Sequence, residues 1–305
     1  MNKRPLLIIA GPTAVGKTAF SISLSEEIGG EIISADSMQV YRGLDVGSAK
    51  ASEEERRRIP HHLIDVLDPR EEFNIVRFQK LAKEAMEDIY SRGRVPVIVG
   101  GTGFYIQSVL YDVSFTENGP DRTFREALYK RAEAEGAKAL HDELKAIDPV
   151  SASSIPANNV KRVARAIEFY HETGVPISLH NEAERKKESP YDFRYFVLTM
   201  DRAKLYQRID ERVDRMMDAG FLDEVKRLKE LGCTREMTSM QGLGYKQLYA
   251  YLDGEGTIAE AVEKTKQETR HFAKRQLTWF KRERDTIWID VEKEDPFNVY
   301  RTWHI

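Results

Sequence analysis

The sequence predicts an α/β protein in which a parallel sheet flanked by helices carries an inserted all-helical domain. Three observations lead there. Short apolar runs alternate with helical patterns through the first third of the chain, as strands and crossover helices do. A glycine-bearing loop joins the first apolar run to the first helical pattern. Beyond about residue 113, three helical segments follow one another without a strand between them. The expected layout is a core in two stretches, 1–112 and 190–305, around a helical insertion at 113–189.

The elements follow in order. Leu6-Leu7-Ile8-Ile9-Ala10 reads as a buried strand, and residues 18–28 as a helix closed by Gly29-Gly30. Glu31-Ile32-Ile33-Ser34-Ala35 is a second strand with Asp36 at its carboxyl end, and residues 62–66 are a candidate third. Phe78, Leu81, Ala82, Ala85 and Ile89 share one face of a helix that Arg92-Gly93 ends. Residues 95–99 are a strand running into Gly100-Gly101-Thr102-Gly103. The turn-rich Glu117-Asn118-Gly119-Pro120-Asp121 opens the insertion, whose helices are expected at 124–135, 137–147 and 160–172. The polar run 181–189 with Pro190 reads as its exit. Residues 196–200 restore a strand, and Asp201 is placed to cap a helix running to Ala219. Two more helices precede a long one from Thr257 to about Arg284, which would span about 42 Å at 1.5 Å per residue. Ile287-Trp288-Ile289 is the last strand.

Bulk properties bound the function. A chain of 305 residues allows about two domains. With 41% hydrophobic and 32% charged residues it reads as a soluble globular protein. A net charge of −3 gives no global pull toward nucleic acid or an anionic membrane, so any polyanion site must be a local patch. The single cysteine, Cys233, excludes an internal disulfide and a multi-cysteine zinc site. The five-residue apolar run before Gly11 is too short for a signal peptide, and no stretch approaches membrane-spanning length. A cytoplasmic protein with no membrane partner is expected.

Gly11-Pro12-Thr13-Ala14-Val15-Gly16-Lys17-Thr18 matches the phosphate-loop pattern G-x-x-x-x-G-K-[ST] between a strand and a helix. Backbone N–H groups of such a loop wrap an anion, helped by the partial positive charge of the helix N-terminus. Lys17 supplies a mobile cation, and the Thr18 hydroxyl is placed to ligate Mg²⁺ or a phosphate oxygen. The fold class sharpens to P-loop NTPase-like. Read alone, the loop suggests ATP. Nucleotide hydrolases of this kind usually hold the metal with an acidic residue ending another strand. Here residues 97–99 run into glycines instead, and Asp65 is a weak candidate for that role. This suits a small-molecule kinase or another chemistry with a phosphate leaving group.

Asp36 ends the strand after the loop, where open α/β sheets place substrate. Its carboxylate could take a proton from an attacking nucleophile, or merely cap a turn with Ser37. Basic residues gather in three places: Arg270, Lys274, Arg275, Lys281, Arg282 and Arg284 on the long C-terminal helix, Lys161, Arg162 and Arg165 in the insertion, and Arg185-Lys186-Lys187. Each alone suits a solvated face; two or three together in a mildly acidic protein make a nucleic-acid path reasonable.

Taken together, these residues resemble the bacterial tRNA dimethylallyltransferases of the tRNA isopentenyltransferase family. The resemblance rests on the phosphate loop, on Asp36-Ser37-Met38-Gln39-Val40-Tyr41-Arg42-Gly43-Leu44-Asp45-Val46-Gly47-Ser48-Ala49-Lys50, and on Gly100-Gly101-Thr102-Gly103-Phe104-Tyr105. Gly242-Leu243-Gly244-Tyr245-Lys246-Gln247 and Lys274-Arg275-Gln276-Leu277-Thr278-Trp279 extend it to nearly the whole chain. It implies transfer of a dimethylallyl group from dimethylallyl diphosphate to N6 of adenosine 37 of tRNA, with Mg²⁺ as cofactor. It also implies roles: Asp36 as general base, Thr18 and Arg212 as diphosphate-stabilising catalytic residues, and Gly11, Pro12, Thr13, Ala14, Val15, Gly16, Lys17 and Thr18 as the diphosphate cradle. Asp36, Ser37, Met38, Gln39, Thr102, Arg125, Lys161, Arg162, Val163, Ala164, Arg165, Lys274 and Arg275 fall at tRNA-contacting positions. The insertion matches the family's domain for the anticodon stem-loop, and a monomer is expected. Ser48 stands where many members have Thr, and the C-terminal zinc finger of eukaryotic relatives is absent. The competing readings are a P-loop kinase for a small metabolite, an adenylate isopentenyltransferase acting on free nucleotide, and a non-enzymatic RNA-binding module.

Overall fold

Six strands form one fully parallel sheet in the computed structural model, which describes residues 3–115 and 122–302. The strands are β1 (Arg4–Ala10), β2 (Gly30–Ala35), β3 (His61–His62), β4 (Val95–Gly100), β5 (Tyr191–Thr199) and β6 (Thr286–Asp290), ordered β3-β2-β4-β1-β5-β6. Leu6 to Ala10 are all at most 1% exposed, which explains why β1 reads as an unbroken apolar run: a parallel sheet is covered on both faces. The α/β class with parallel pairing is as expected. The turn-rich residues 117–121 lie outside the described residues.

The chain divides into two compact units, Met1–Leu110 with Pro190–Ile305, and Tyr111–Ser189. In the first, α1 (Lys17–Ile28), α2 (Glu53–Arg58), α3 (Ile75–Ser91) and α4 (Gly103–Leu110) precede the second unit. That unit holds α5 (Arg122–Glu135), α6 (Ala137–Ile147), α7 (Pro149–Ser154), α8 (Val160–Thr173) and α9 (Ile177–Lys186). The first unit resumes with β5, α10 (Arg202–Asp218), α11 (Phe221–Glu230), a 3₁₀ turn Thr238–Gln241, α12 (Tyr245–Leu252), α13 (Ile258–Phe280), β6 and α14 (Pro296–Arg301). The core of the sheet unit joins Leu7 and Ile9 of β1 to Phe20 and Leu24 of α1 and Leu205 and Ile209 of α10. The helical unit has its own core of Leu128, Leu140, Leu144, Val163 and Ile167.

Three expectations are corrected. The strand at 62–66 shrinks to His61–His62, because Leu63 and Asp65 take φ of 63° and 57°, which a strand cannot hold. The long C-terminal helix stops at Phe280, and turn hydrogen bonds from Arg282 N to Trp279 O and Glu283 N to Phe280 O carry the chain toward β6. Lys281, Arg282 and Arg284 therefore lie beyond that helix. Among the described residues the helical unit contains five helices rather than three. Asp148 and Pro149 start α7, and residues 181–186 of the polar run expected to be its exit belong to helix α9.

The parallel register decides where chemistry can occur. Ala10 and Ala35 each pair with Gly100, so Gly11, Asp36 and Gly101 leave the sheet side by side at its carboxyl edge. Among the described residues, no helix is long and apolar enough to cross a membrane.

Asp201 caps α10 as expected, its Oδ1 accepting from the N–H of Ala203 (2.9 Å) and Lys204 (3.1 Å). Replacing Asp201 with Ala is expected to lower stability by about 1 kcal/mol. Urea unfolding checks this through a lower midpoint at unchanged slope.

Candidate active site

The phosphate loop needs an unusual backbone to turn its N–H groups inward. Ala14 takes φ of 66°, a conformation costly for a residue with a side chain and tolerated where function holds it. Lys17, at the first position of α1, folds back so that its Nζ donates to the carbonyls of Gly11 (3.0 Å) and Pro12 (2.8 Å). Burial beneath the loop, helped by the neighbouring Arg212 and opposed by Asp36, pushes the Lys17 ammonium down to about 7. Thr13, Ala14, Gly16, Lys17 and Thr18 line a cavity of about 550 Å³. Gly11, Pro12 and Val15 do not: Gly11 and Pro12 serve through their carbonyls, and Val15 belongs to the core.

Asp36 continues directly from β2, and its Oδ1 accepts from the N–H of Met38 (2.8 Å) and Gln39 (3.3 Å). The turn-capping reading is thus correct, and compatible with a chemical role for Oδ2. Arg212 comes from α10. Burial lowers its pKa, Asp36 opposes that, and Arg215 adds to it. Arg208, Arg212 and Arg215 recur at helical spacing and all line the cavity. Sequence reading took only Arg212, although the i, i+4, i+7 pattern on a predicted helix was the available signal.

A second cavity, of about 350 Å³, shares Thr13, Asp36, Ser48, Arg212, Phe272 and Gln276 with the first. Ser37, Met38, Thr102 and Arg275, all expected at tRNA-contacting positions, line this second side. Asp36 and Arg212 therefore stand in a wall common to the cavity lined by the phosphate loop and a second one. Gln39 is turned differently: Ser34 Oγ donates to its Oε1 (2.9 Å), while its Nε2 reaches the carbonyls of Ser48 (3.3 Å) and Ala49 (3.4 Å).

Gln276 is a residue that sequence reading quoted without a role. The N–H of Thr13 donates to its Oε1 at 2.9 Å, and its Nε2 donates to Gly101 O at 3.0 Å. One amide thus ties the phosphate loop to the glycine turn after β4. A Cβ on Gly101 would lie 2.0 Å from Gln276 Nε2, so a side chain there would push this amide out of its place. Asp65, the weak metal candidate, is instead held by Lys50 (2.6 Å) and Arg56 (2.8 Å). No group of three or more His, Cys, Asp or Glu able to hold a metal ion exists among the described residues. A metal here would depend on Thr18 and on oxygens brought by the ligand.

The basic clusters divide. Lys274 and Arg275 are exposed on α13, whereas Arg270 pairs with Asp210 (2.6 Å) and Glu263. In the helical unit, Lys161, Arg162 and Arg185 are exposed. Arg125 (2.6 Å) and Arg165 (2.8 Å) converge on Glu168, which is fully buried. Val163 and Ala164 are buried in that unit's core, so their side chains hold α8 in place and offer no surface.

Comparison with known proteins follows from this geometry. A family model described as IPP transferase matches residues 39–283, and one described as isopentenyl transferase matches residues 5–65. The chain is 59% identical over 286 residues to the tRNA dimethylallyltransferase of Lachnoclostridium phytofermentans, covering 94% of this chain and 91% of that protein. It is similar to the crystal structure of the tRNA isopentenylpyrophosphate transferase from Bacillus halodurans, with TM-score 0.73 and 42% identity over 98% of this chain and 94% of that one. It is also similar to a eukaryotic dimethylallyltransferase captured acting on tRNA, with TM-score 0.80 and 30% identity over 98% of this chain and 77% of that one. These likenesses give the sheet unit its P-loop NTPase-like fold.

The depressed Lys17 pKa makes anion binding proton-linked. A bound diphosphate would raise that pKa, so binding above pH 7 takes up a proton and affinity falls as pH rises, by at most about tenfold per unit. Calorimetry at pH 8 in two buffers of different ionisation enthalpy should show this uptake in the wild type. In Lys17→Arg, whose guanidinium stays charged, the Lys17 share should vanish.

Proposed function

The chain belongs to the IPP transferase family, and we propose that it transfers a dimethylallyl group from dimethylallyl diphosphate to N6 of adenosine 37 in tRNA. The observation that carries this reading is the common wall. Asp36 and Arg212 face both the phosphate-loop cavity and a second cavity lined by Ser37, Met38 and Thr102. A donor bound on the loop and a base arriving from the other side would meet at these residues.

The exocyclic amine is a poor nucleophile because its lone pair is delocalised into the ring, so both ends of the displacement need help. The N6 lone pair forms a bond to C1 of the dimethylallyl group while the C1–O bond breaks, its electrons leaving on the diphosphate. The proton released from N6 passes to Asp36, whose Oδ1 is occupied by two backbone N–H groups, which leaves Oδ2 for the transfer. Lys17, Arg212 and the loop N–H groups stabilise the charge growing on the diphosphate, a preorganised effect worth about 3–4 kcal/mol per donor. The residues present fit a magnesium ion, which keeps several waters and takes its remaining ligands from phosphate oxygens; Thr18 would be its protein ligand. When bound, it supplies further neutralisation of the leaving group.

Adenosine 37 must leave the anticodon-loop stack to reach Asp36. Each unit carries exposed cations of the kind that suit RNA phosphates, Lys161, Arg162 and Arg185 in the helical unit and Lys274 and Arg275 in the sheet unit. A small-metabolite kinase would have no use for them. The protein is read as a monomer working in the cytoplasm, where tRNA is found.

Incubation with unmodified tRNA, labelled dimethylallyl diphosphate and Mg²⁺ should place label on adenosine 37. With AMP added as a competitor, label appearing only on AMP would support the nucleotide-prenylating reading instead. Asp36→Ala should lower kcat by about two to four orders of magnitude, the usual worth of a general base, while diphosphate binding survives. Equal loss of turnover and of binding would show Asp36 to be structural only.

A further inference from the structure

The segment that follows Asp36 returns to the site at residues 47–49. Gly47 lines the second cavity, Ala49 the first, and Ser48 both. What fixes this stretch is a carboxylate that plays no part in the mechanism above. Glu224, in the first turns of α11 and only 3% exposed, accepts from three successive backbone N–H groups. Its Oε2 receives Asp45 N (2.9 Å) and Val46 N (2.8 Å), and its Oε1 receives Gly47 N (3.1 Å). Tyr245 adds a fourth bond, its hydroxyl donating to Glu224 Oε1 at 2.6 Å.

Three consecutive N–H groups turned to one side make a concave nest for an anion. A substrate phosphate could fill such a nest; here the protein fills it with its own side chain. Burying a carboxylate is costly unless its hydrogen bonds are complete, and four donors meet that condition. Phe221, at the start of the same helix, presses on the same segment: a Cβ on Gly47 would lie 2.0 Å from Phe221 Cε2. The segment is thus held by polar bonds and by packing, both from α11.

We propose that Glu224 is a positioning residue for the transfer, fixing through residues 45–47 the wall at which donor and acceptor are aligned. Glu224 lines neither cavity, and its hydrogen-bond partners are Asp45, Val46, Gly47 and Tyr245 rather than the phosphate loop. The inference rests on the transferase reading, and the test separates the two.

Glu224→Gln keeps the size but removes the charge and turns an NH₂ group toward N–H donors. Its diphosphate affinity, measured by calorimetry, should stay within about twofold of wild type. Its kcat should fall at least about tenfold, since small misplacements of a reacting pair are costly. Hydrogen exchange at the amides of residues 45–47 should quicken. Tyr245→Phe, which deletes one bond and keeps the carboxylate, should lower kcat by about twofold to fivefold at unchanged diphosphate affinity. It carries the test if Glu224→Gln does not fold. Unchanged kcat and exchange in the folded variants would overturn the proposal, as would a kcat loss matched by the loss of folded protein or of diphosphate binding. Wild-type protein without any turnover would instead overturn the transferase reading, and the exchange measurement alone would then decide whether Glu224 holds the segment.

Discussion

Two buried cations, Lys17 and Arg212, lining one cavity with Asp36 set the terms for the rest of this structure. Lys17 and Arg212 are both pushed toward their neutral forms, chiefly by burial. Arg212 adds to the shift at Lys17, and Asp36 opposes it at both. An arrangement that gathers buried positive charge is unfavourable by itself and is relieved by an anion with more than one negative charge. Lys17 meanwhile satisfies its donors on Gly11 O and Pro12 O, bonds that hold the loop in shape.

Everything around that cavity resists relaxation. The register of β1, β2 and β4 puts Gly11, Asp36 and Gly101 at one level, and Gln276 ties two of those three turns together. Glu224 anchors the far end of the segment that begins at Asp36. Lys50, whose side chain is 3% exposed, closes the same segment by donating to Tyr41 O (2.9 Å), Asp45 (2.5 Å) and Asp65 (2.6 Å). Buried polar groups that are fully satisfied rigidify what they touch. The cost of holding the charges in place is thereby spread over hydrogen bonds far from the reacting atoms.

The sheet and the phosphate loop were legible because their signals are local. An apolar run, a glycine pattern and a helix start lie within about twenty residues, and Asp36 was found because the loop's architecture says where to look. Basic residues were legible as a set but not singly: nothing local to Arg270 reveals Asp210, sixty positions away, and nothing near Arg125 reveals the buried Glu168. Glu224 was invisible for the same reason, being one acid in a charged helix whose partners lie 177 to 179 positions earlier. Val163 and Ala164 were placed among tRNA-contacting positions because a motif segment was carried over whole, although the 3.6-residue period turns their side chains inward. The strand expected at 62–66 failed on backbone geometry, since apolar composition does not disclose a left-handed φ at Leu63.

The central claim is that the loop's charges are arranged for a leaving diphosphate. A crystal structure with inorganic diphosphate and Mg²⁺ bound tests it most directly. The account predicts the anion in the phosphate-loop cavity, with Lys17 Nζ moved off at least one of the carbonyls of Gly11 and Pro12 and Arg212 within hydrogen-bond distance of a diphosphate oxygen. Diphosphate bound away from Arg212, or Lys17 still donating to both carbonyls beside it, would contradict it.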